Sequence, residues 1–286
     1  MSVTKTPRRR LALLASSQLL ASTLLIGASG LALVPGTALA ANECGDPNAN
    51  LFFADAFSCP AATYPTGIDY SAGTNGDIVL TLQDGVVTTT GGIIVTRKAG
   101  DQITINRQVV TPNNGDPSIT NLAGAGITVT SPDEDVFVLL QDGDAGDTPI
   151  KVKGSTNGID VNNGTGGGLE VTVTNGTVEG TAGDAVKVQN TNGNVTVNTQ
   201  GATLTAGQDG IDAITTNSLN LHVDAGAITA GGQGVNVDHG GGSTGLLVVT
   251  AHGNIGSTGD AINVDTNGTG VAQVYSDVGT SLVSSG

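Results

Sequence analysis

The chain has 286 residues, among them 44 glycines, no tryptophan and 2% aromatic residues, with 25 acidic side chains against 10 basic ones. Aromatic and long aliphatic side chains supply most of the burial that offsets chain entropy, so this composition excludes an ordinary globular core built around large residues. A formal charge of −15, with no Lys or Arg after Lys187, also excludes a binder of nucleic-acid backbones, which needs clustered cations.

The first 40 residues differ from the rest. Arg8, Arg9 and Arg10 precede an apolar run at 11–34, and Ala38-Leu39-Ala40 fits the small-x-small rule of signal peptidase. Residues 1–40 therefore read as a signal peptide cleaved between Ala40 and Ala41. Gly27, Gly30 and Pro35 argue against the other reading, a transmembrane anchor. The paired arginines leave the export route for folded proteins open. The remaining chain carries six basic residues against 25 acidic ones, a formal charge of −19, which suits a soluble surface outside the cell.

Cys44 and Cys59 are the only cysteines and follow the export signal, so a disulfide is the natural reading. Closing a loop of about 15 residues contributes roughly 3 kcal/mol in the chain-entropy model. Two cysteines at this spacing build neither a CxxC redox pair nor a metal quartet. Residues 41–75, with both cysteines, Phe52, Phe53, Phe57 and several prolines, fit no repeat and read as an N-terminal cap on an exposed sheet edge.

Beyond the cap, short alternating runs such as LEVTVT at 169–174 and LNLHVD at 219–224 predict strands with one buried face, separated by Gly, Asn and Asp turns. In 76–153 the register is loose. Residues 78–82, 93–95 and 103–105 suit early coils, and Ile127/Val129, Val136/Val138 and Ile150/Val152 suit one coil with longer turns.

In 154–286 the pattern becomes regular. GDAVKV at 183–188 returns as GDAINV at 259–264, and weaker copies give the aligned pairs Ile159/Val161, Val186/Val188, Ile211/Ala213, Val235/Val237 and Ile262/Val264. The steps are 27, 25, 24 and 27 residues. A second element recurs at 169–173, 195–197, 219–223, 246–249 and 271–274, and a third at Val178, Leu204, Ile228, Ile255 and Leu282. Three strands per unit predict an all-β solenoid: a right-handed parallel β-helix of about 24–27 residues per coil. Ile159, Val186, Ile211, Val235 and Ile262 are expected to stack as one inward column, with Ala213 a slim point in its own. Residues 162–168 and 239–245 are expected as outward loops. The next opening phrase falls due about seven residues after Leu282, so Gly286 is not expected to be the natural end.

An export signal, a close cysteine pair and Gly/Asn/Asp-rich coils resemble the start of an autotransporter passenger domain of a Gram-negative bacterium. The resemblance rests on architecture and covers essentially the whole chain. It implies export through the periplasm, passage through a C-terminal outer-membrane barrel, and display or release at the cell surface. Adhesion to a host or neighbouring-cell ligand is the commonest role it implies. The 286 residues include no segment resembling such a barrel, which departs from the family pattern.

The alternative is a carbohydrate-active enzyme, since polysaccharide lyases and pectin hydrolases also use parallel β-helices. His239-Gly240 and His252-Gly253, with Asp238, Asp260 and Asp265, faintly resemble the elements of such hydrolases, whose chemistry needs two carboxylates across a glycosidic bond. No cation follows Lys187 to hold an acidic sugar, so turn and surface roles are expected for these residues and no catalytic site. GGQGVNVD at 231–238 partly matches a calcium nonapeptide, but Asn236 replaces the acidic ligand. Asp160, Asp184, Asp212 and Asp260 sit at differing offsets and predict no ladder. His222, His239 and His252 have no metal-binding spacing, and no metal or other cofactor is expected. Asn163, Asn175, Asn194 and Asn267 head N-glycosylation sequons, expected by chance in a repeat full of Asn-Gly turns.

Overall fold

A strand that lies parallel to its neighbours needs a long return path, and a chain that coils about one axis supplies that path with two more strands. The computed structural model follows this solution; it describes residues 44, 55–71, 76–108, 115–141 and 149–286. The signal peptide with its Ala40/Ala41 junction, Phe52 and Phe53 lie outside the described residues. Among those described there is no helix, and every strand pairing is parallel, giving a β-solenoid of about eight turns.

Each turn contributes one strand to each of three faces, in the chain order A, B, C. Face A begins with Asp55–Cys59, Ile78–Gln83 and Ile103–Gln108 and ends with Leu246–Ala251 and Val271–Ser276. Face B runs from Thr63–Tyr64 and Val87–Thr88 to Ile255–Ser257 and Leu282–Ser284. Face C runs from Ile68–Tyr70 and Ile93–Thr96 to Val235–His239 and Ile262–Thr266. Two long strands, Val186–Asn198 and Ile211–Ala225, pass without a break from face C round the corner to face A.

The interior is built from β-branched and aliphatic columns. Ile159, Val186, Ile211 and Val235 are in register and fully buried. Ile262 continues them on the last turn, where it is only partly buried. Ala213 lies between Val188 and Val237 in the neighbouring column. Val178, Leu204, Ile228, Ile255 and Leu282 stack on face B. At the corner leading into face C the coils approach closely, and most turns place glycine there. A Cβ on Gly92 would stand 2.1 Å from the Gly126 carbonyl oxygen, and one on Gly234 2.4 Å from that of Ala261.

Three expectations need correction. The segment read as a cap contains the first turn itself: Asp55 pairs with Ile78, Thr63 with Val87 and Ile68 with Ile93. Its repeat is disguised because Phe57, Tyr64 and Tyr70 take inward positions that later turns give to smaller residues such as Leu80, Thr88 and Val95. Phe57 and Tyr70 stack with ring centroids 4.4 Å apart. The Cys44–Cys59 disulfide lies beside them, with Cys59 in register over Leu82. Large rings and a covalent link thus fill the core at the first described turn.

The second correction concerns face A. Gly193 pairs with Ser218 but Val195 with Leu221, so one extra residue bulges at the corner. Leu219 is consequently 58% exposed and Leu221 takes the inward place, followed by Leu247 rather than Leu246. Third, the stretches read as outward loops begin inside. Alternation continues one step past Val161 and Val237, turning Asn163 and His239 inward. They join Ser131, Asn190 and Thr215 in a buried polar column at the C–A corner.

Charged side chains are buried as well, among them Arg97, Asp84 and the guanidinium of Arg107. Arg107 stacks on Leu82, and its guanidinium pairs with the buried Asp84 (2.9 Å) and with Asp116. Sequence alternation gives no warning of such an ion group.

Two outcomes are expected. Ile211→Ala should cost about 2–5 kcal/mol in urea unfolding, and Leu219→Ala, at a side chain 58% exposed, clearly less; equal losses would overturn the assigned burial. Reduction of Cys44–Cys59 should lower the stability of the first turn by roughly 3 kcal/mol, read by hydrogen exchange at 55–70 with and without reductant.

Candidate functional site

In-register stacking brings residues 24–27 apart in sequence to about 4.8 Å, the strand spacing, so outward polar side chains meet in ladders. On face C, Asp160, Lys187, Asp212, Asn236 and Asn263 share one register. Lys187 Nζ lies 2.8 Å from Asp212 and 3.5 Å from Asp184. Asn236 donates to Asp212 at 3.0 Å and Asn263 to Asn236 at 2.9 Å. A parallel ladder caps the preceding turn: the Asp184 N–H donates to Asn157 Oδ1, Asp209 N–H to Asp184 Oδ1, and Gln233 N–H to Asp209 Oδ1, at 2.7–3.0 Å.

The four aspartates of the opening phrases form no single ladder, since Asp160 and Asp212 share one register and Asp184 belongs to the other, but each ladder is completed by Lys, Asn or Gln. Coil lengths vary, and Asn and Asp are equivalent acceptors for a backbone N–H, so searching for Asp alone misses the pattern. Burial pushes the Asp184 carboxyl up, partly offset by the N–H of Asp209. Burial also opposes the charge on Lys187, but the hydrogen bond and charge of Asp212, helped by Asp184, outweigh it and raise its pKa.

The residues that resemble a sugar hydrolase are dispersed. Asp238 and Asp265 do stand side by side on the outside of face C. His239 points the other way and is 1% exposed, its Nε2 2.8 Å from Ser218 Oγ. Asp260 sits in the turn before face C, where its carbonyl accepts from Gly234. His252 follows face A at the A–B corner. Of the partial calcium motif, Asn236 is held by Asp212 and Asn263. Among the described residues no group of three or more His, Cys, Asp and Glu side chains stands in an arrangement for a metal ion.

A different group comes together at the A–B corner. His252 Nδ1 lies 2.9 Å from Asp277 Oδ2 and its Nε2 3.1 Å from Asp224 Oδ1, while His222 Nε2 is 3.3 Å from the same Asp224 oxygen. With both ring nitrogens facing carboxylates, His252 satisfies both only as an imidazolium donating two N–H groups. The arrangement ties three successive turns together. Separations of 28 and 25 residues hide it in the sequence, though the coil period contains the signal.

Two histidines thus titrate in opposite senses. Burial works to lower the His252 pKa, but hydrogen bonds from Asp277 and Asp224 and their charges raise it above the ordinary value. Burial lowers that of His239, with Asp238 opposing weakly.

Comparison with known proteins gives no match to any family model, any curated protein or any solved structure.

The sign of the pH dependence follows. A folded pKa above the unfolded one makes the His252 contribution complete below about pH 6.5 and lost as pH rises through the folded value. His239 contributes above about pH 6.5 and loses its contribution as pH falls through its depressed value. His252→Gln should remove the alkaline loss, by no more than about 1 kcal/mol for groups this exposed. Melting curves across this range check it; a mutant that keeps the wild-type alkaline loss would contradict the assignment.

Proposed function

We propose that the chain is an exported autotransporter-type passenger whose stacked turns form a structural or adhesin-like rod at the cell surface. The observation that supports this best is where the polar side chains go. Asn157, Asp184, Lys187, Asp209, Asp212, Asn236 and Asn263 all bond across to a neighbouring turn, and Asp160 is held by Asn157 of its own turn. These groups stiffen a rod. A parallel solenoid also suits stepwise passage through a barrel, since each arriving turn folds on the one before it. The partners proposed are an outer-membrane barrel and a host or neighbouring-cell surface ligand.

The second reading, a carbohydrate-active β-helix, draws on the Asp238–Asp265 pair, two carboxylates on adjacent turns of one open face. That pair lacks a nearby histidine, since His239 is turned inward.

Both readings meet in one set of measurements. On intact cells of the source organism, the rod should be reached by external protease and antibody, and confinement to the cytoplasm would overturn the passenger reading. Incubation with pectin, polygalacturonate and alginate should give no new reducing ends or unsaturated products. Product formation abolished by Asp238→Asn would move the assignment to the enzyme.

A further inference from the structure

A Lys–Asp contact on the outside of a sheet is ordinarily an ion pair open to solvent, as Lys153 and Glu179 are here, both side chains well exposed. The contact between Lys187 and Asp212 is built differently. Lys187 Nζ stands 2.8 Å from Asp212 Oδ2 and 3.5 Å from Asp184 Oδ2, and the two carboxylates are only 8% and 5% exposed. The second Asp212 oxygen, Oδ1, accepts from Asn236 Nδ2 at 3.0 Å. Asp184 is fixed in its turn, since its Oδ1 accepts from the Asp209 N–H at 3.0 Å and its own N–H donates to Asn157 Oδ1 at 2.9 Å.

These four side chains supply the parts of an amide-forming site. Lys187 is a primary amine, Asp212 offers a carboxyl carbon, Asn236 places an N–H on the oxygen that gains charge, and Asp184 is a second carboxyl within reach to carry protons. Burial pushes the Asp184 carboxyl up, which suits a group that must take and return a proton. Burial opposes the ammonium of Lys187, but the hydrogen bond and charge of Asp212 outweigh it, so the amine rests charged until Asp184 relieves it of a proton. In-register pairing of the two strands holds amine and carboxyl together, and such positioning raises an intramolecular reaction to effective molarities far above that of water.

We propose that Lys187 and Asp212 join in an intramolecular amide, a covalent rung between two successive turns. Lys187 gives one proton to the Asp184 carboxylate, and the freed nitrogen lone pair bonds to Asp212 Cγ while Asn236 Nδ2 meets the charge on Oδ1. The Cγ–Oδ2 bond then breaks. Oδ2 leaves as water with two of the three ammonium protons, one returned by Asp184 and one from the nitrogen, and the third stays on the amide. One ammonium and one carboxylate become one amide and one water, with Asp184 again a carboxylate and no oxidant, cofactor or change in net charge. The link joins residues 25 apart in sequence and keeps the central turns from parting by local opening.

The test weighs the full chain, denatured and reduced, by mass spectrometry and then digests it with trypsin, for which Lys187 is the last site. Wild type should be lighter than its sequence by one water, should not release 188–286 as a free peptide, and should give fragment ions that place the branch at Lys187 and Asp212. Lys187→Arg keeps the ion pair but has no nucleophilic amine, so it should show its full mass and release 188–286. Asp184→Asn should slow the loss of water after refolding by about a hundredfold or more. A wild-type chain of full mass, cut after Lys187, would overturn the proposal. So would a water loss that survives in Lys187→Arg, since the missing water would then come from another site, such as an imide at an Asp-Gly turn.

Discussion

The strand backbone groups of a parallel coil point along the solenoid axis, to the turn above or below, and only tight corners such as Gly67 N–H to Tyr64 and Ala202 N–H to Thr199 bond within one turn. This constraint explains the rest of the structure. Turns must match in register, because a slip of one residue turns the apolar set outward. Insertions can enter only at corners, as the extra residue beside Ser218 does. Close backbone approach at the corner before face C admits only Gly or Ala, which is why Gly92, Gly126, Gly158, Ala185, Gly210, Gly234 and Ala261 recur there.

The same geometry solves the problem posed by the composition. Three short faces enclose an interior only one or two side chains wide, which Val, Ile, Leu and Ala fill without aromatics. Inward aromatic rings belong to the first described turn, where Phe57, Tyr64 and Tyr70 stack over Leu80, Thr88 and Val95. The disulfide at Cys59 acts at the same turn, restricting the unfolded chain.

Stacking also decides the electrostatics. A chain with a large negative charge should repel itself, yet the acidic side chains of the central turns accept hydrogen bonds from backbone N–H groups, Asn side chains and Lys187. Acceptor capacity, rather than charge, is what the turns use, so Asn and Asp exchange freely along a ladder. His252 belongs to this economy: between Asp224 and Asp277 it supplies a cation to turns that contain no Lys or Arg.

The sequence alone determined the solenoid, its three strands per turn and the inward column from Ile159 to Ile262, because period-two alternation and a 24–27-residue repeat are properties of neighbours along the chain. Tertiary structure decided what depends on neighbours across turns. It made Asp55–Tyr70 a turn, since aromatic and cysteine side chains there obscure the pattern that backbone pairing obeys. It turned Asn163 and His239 inward and Leu219 outward, because burial is set by position on the pleat and by a one-residue bulge, not by polarity. It assembled Arg107 with Asp84 and Asp116, and His252 with Asp224 and Asp277, from residues 9 to 28 positions apart. No local pattern encodes such meetings, which depend on the summed lengths of the intervening turns.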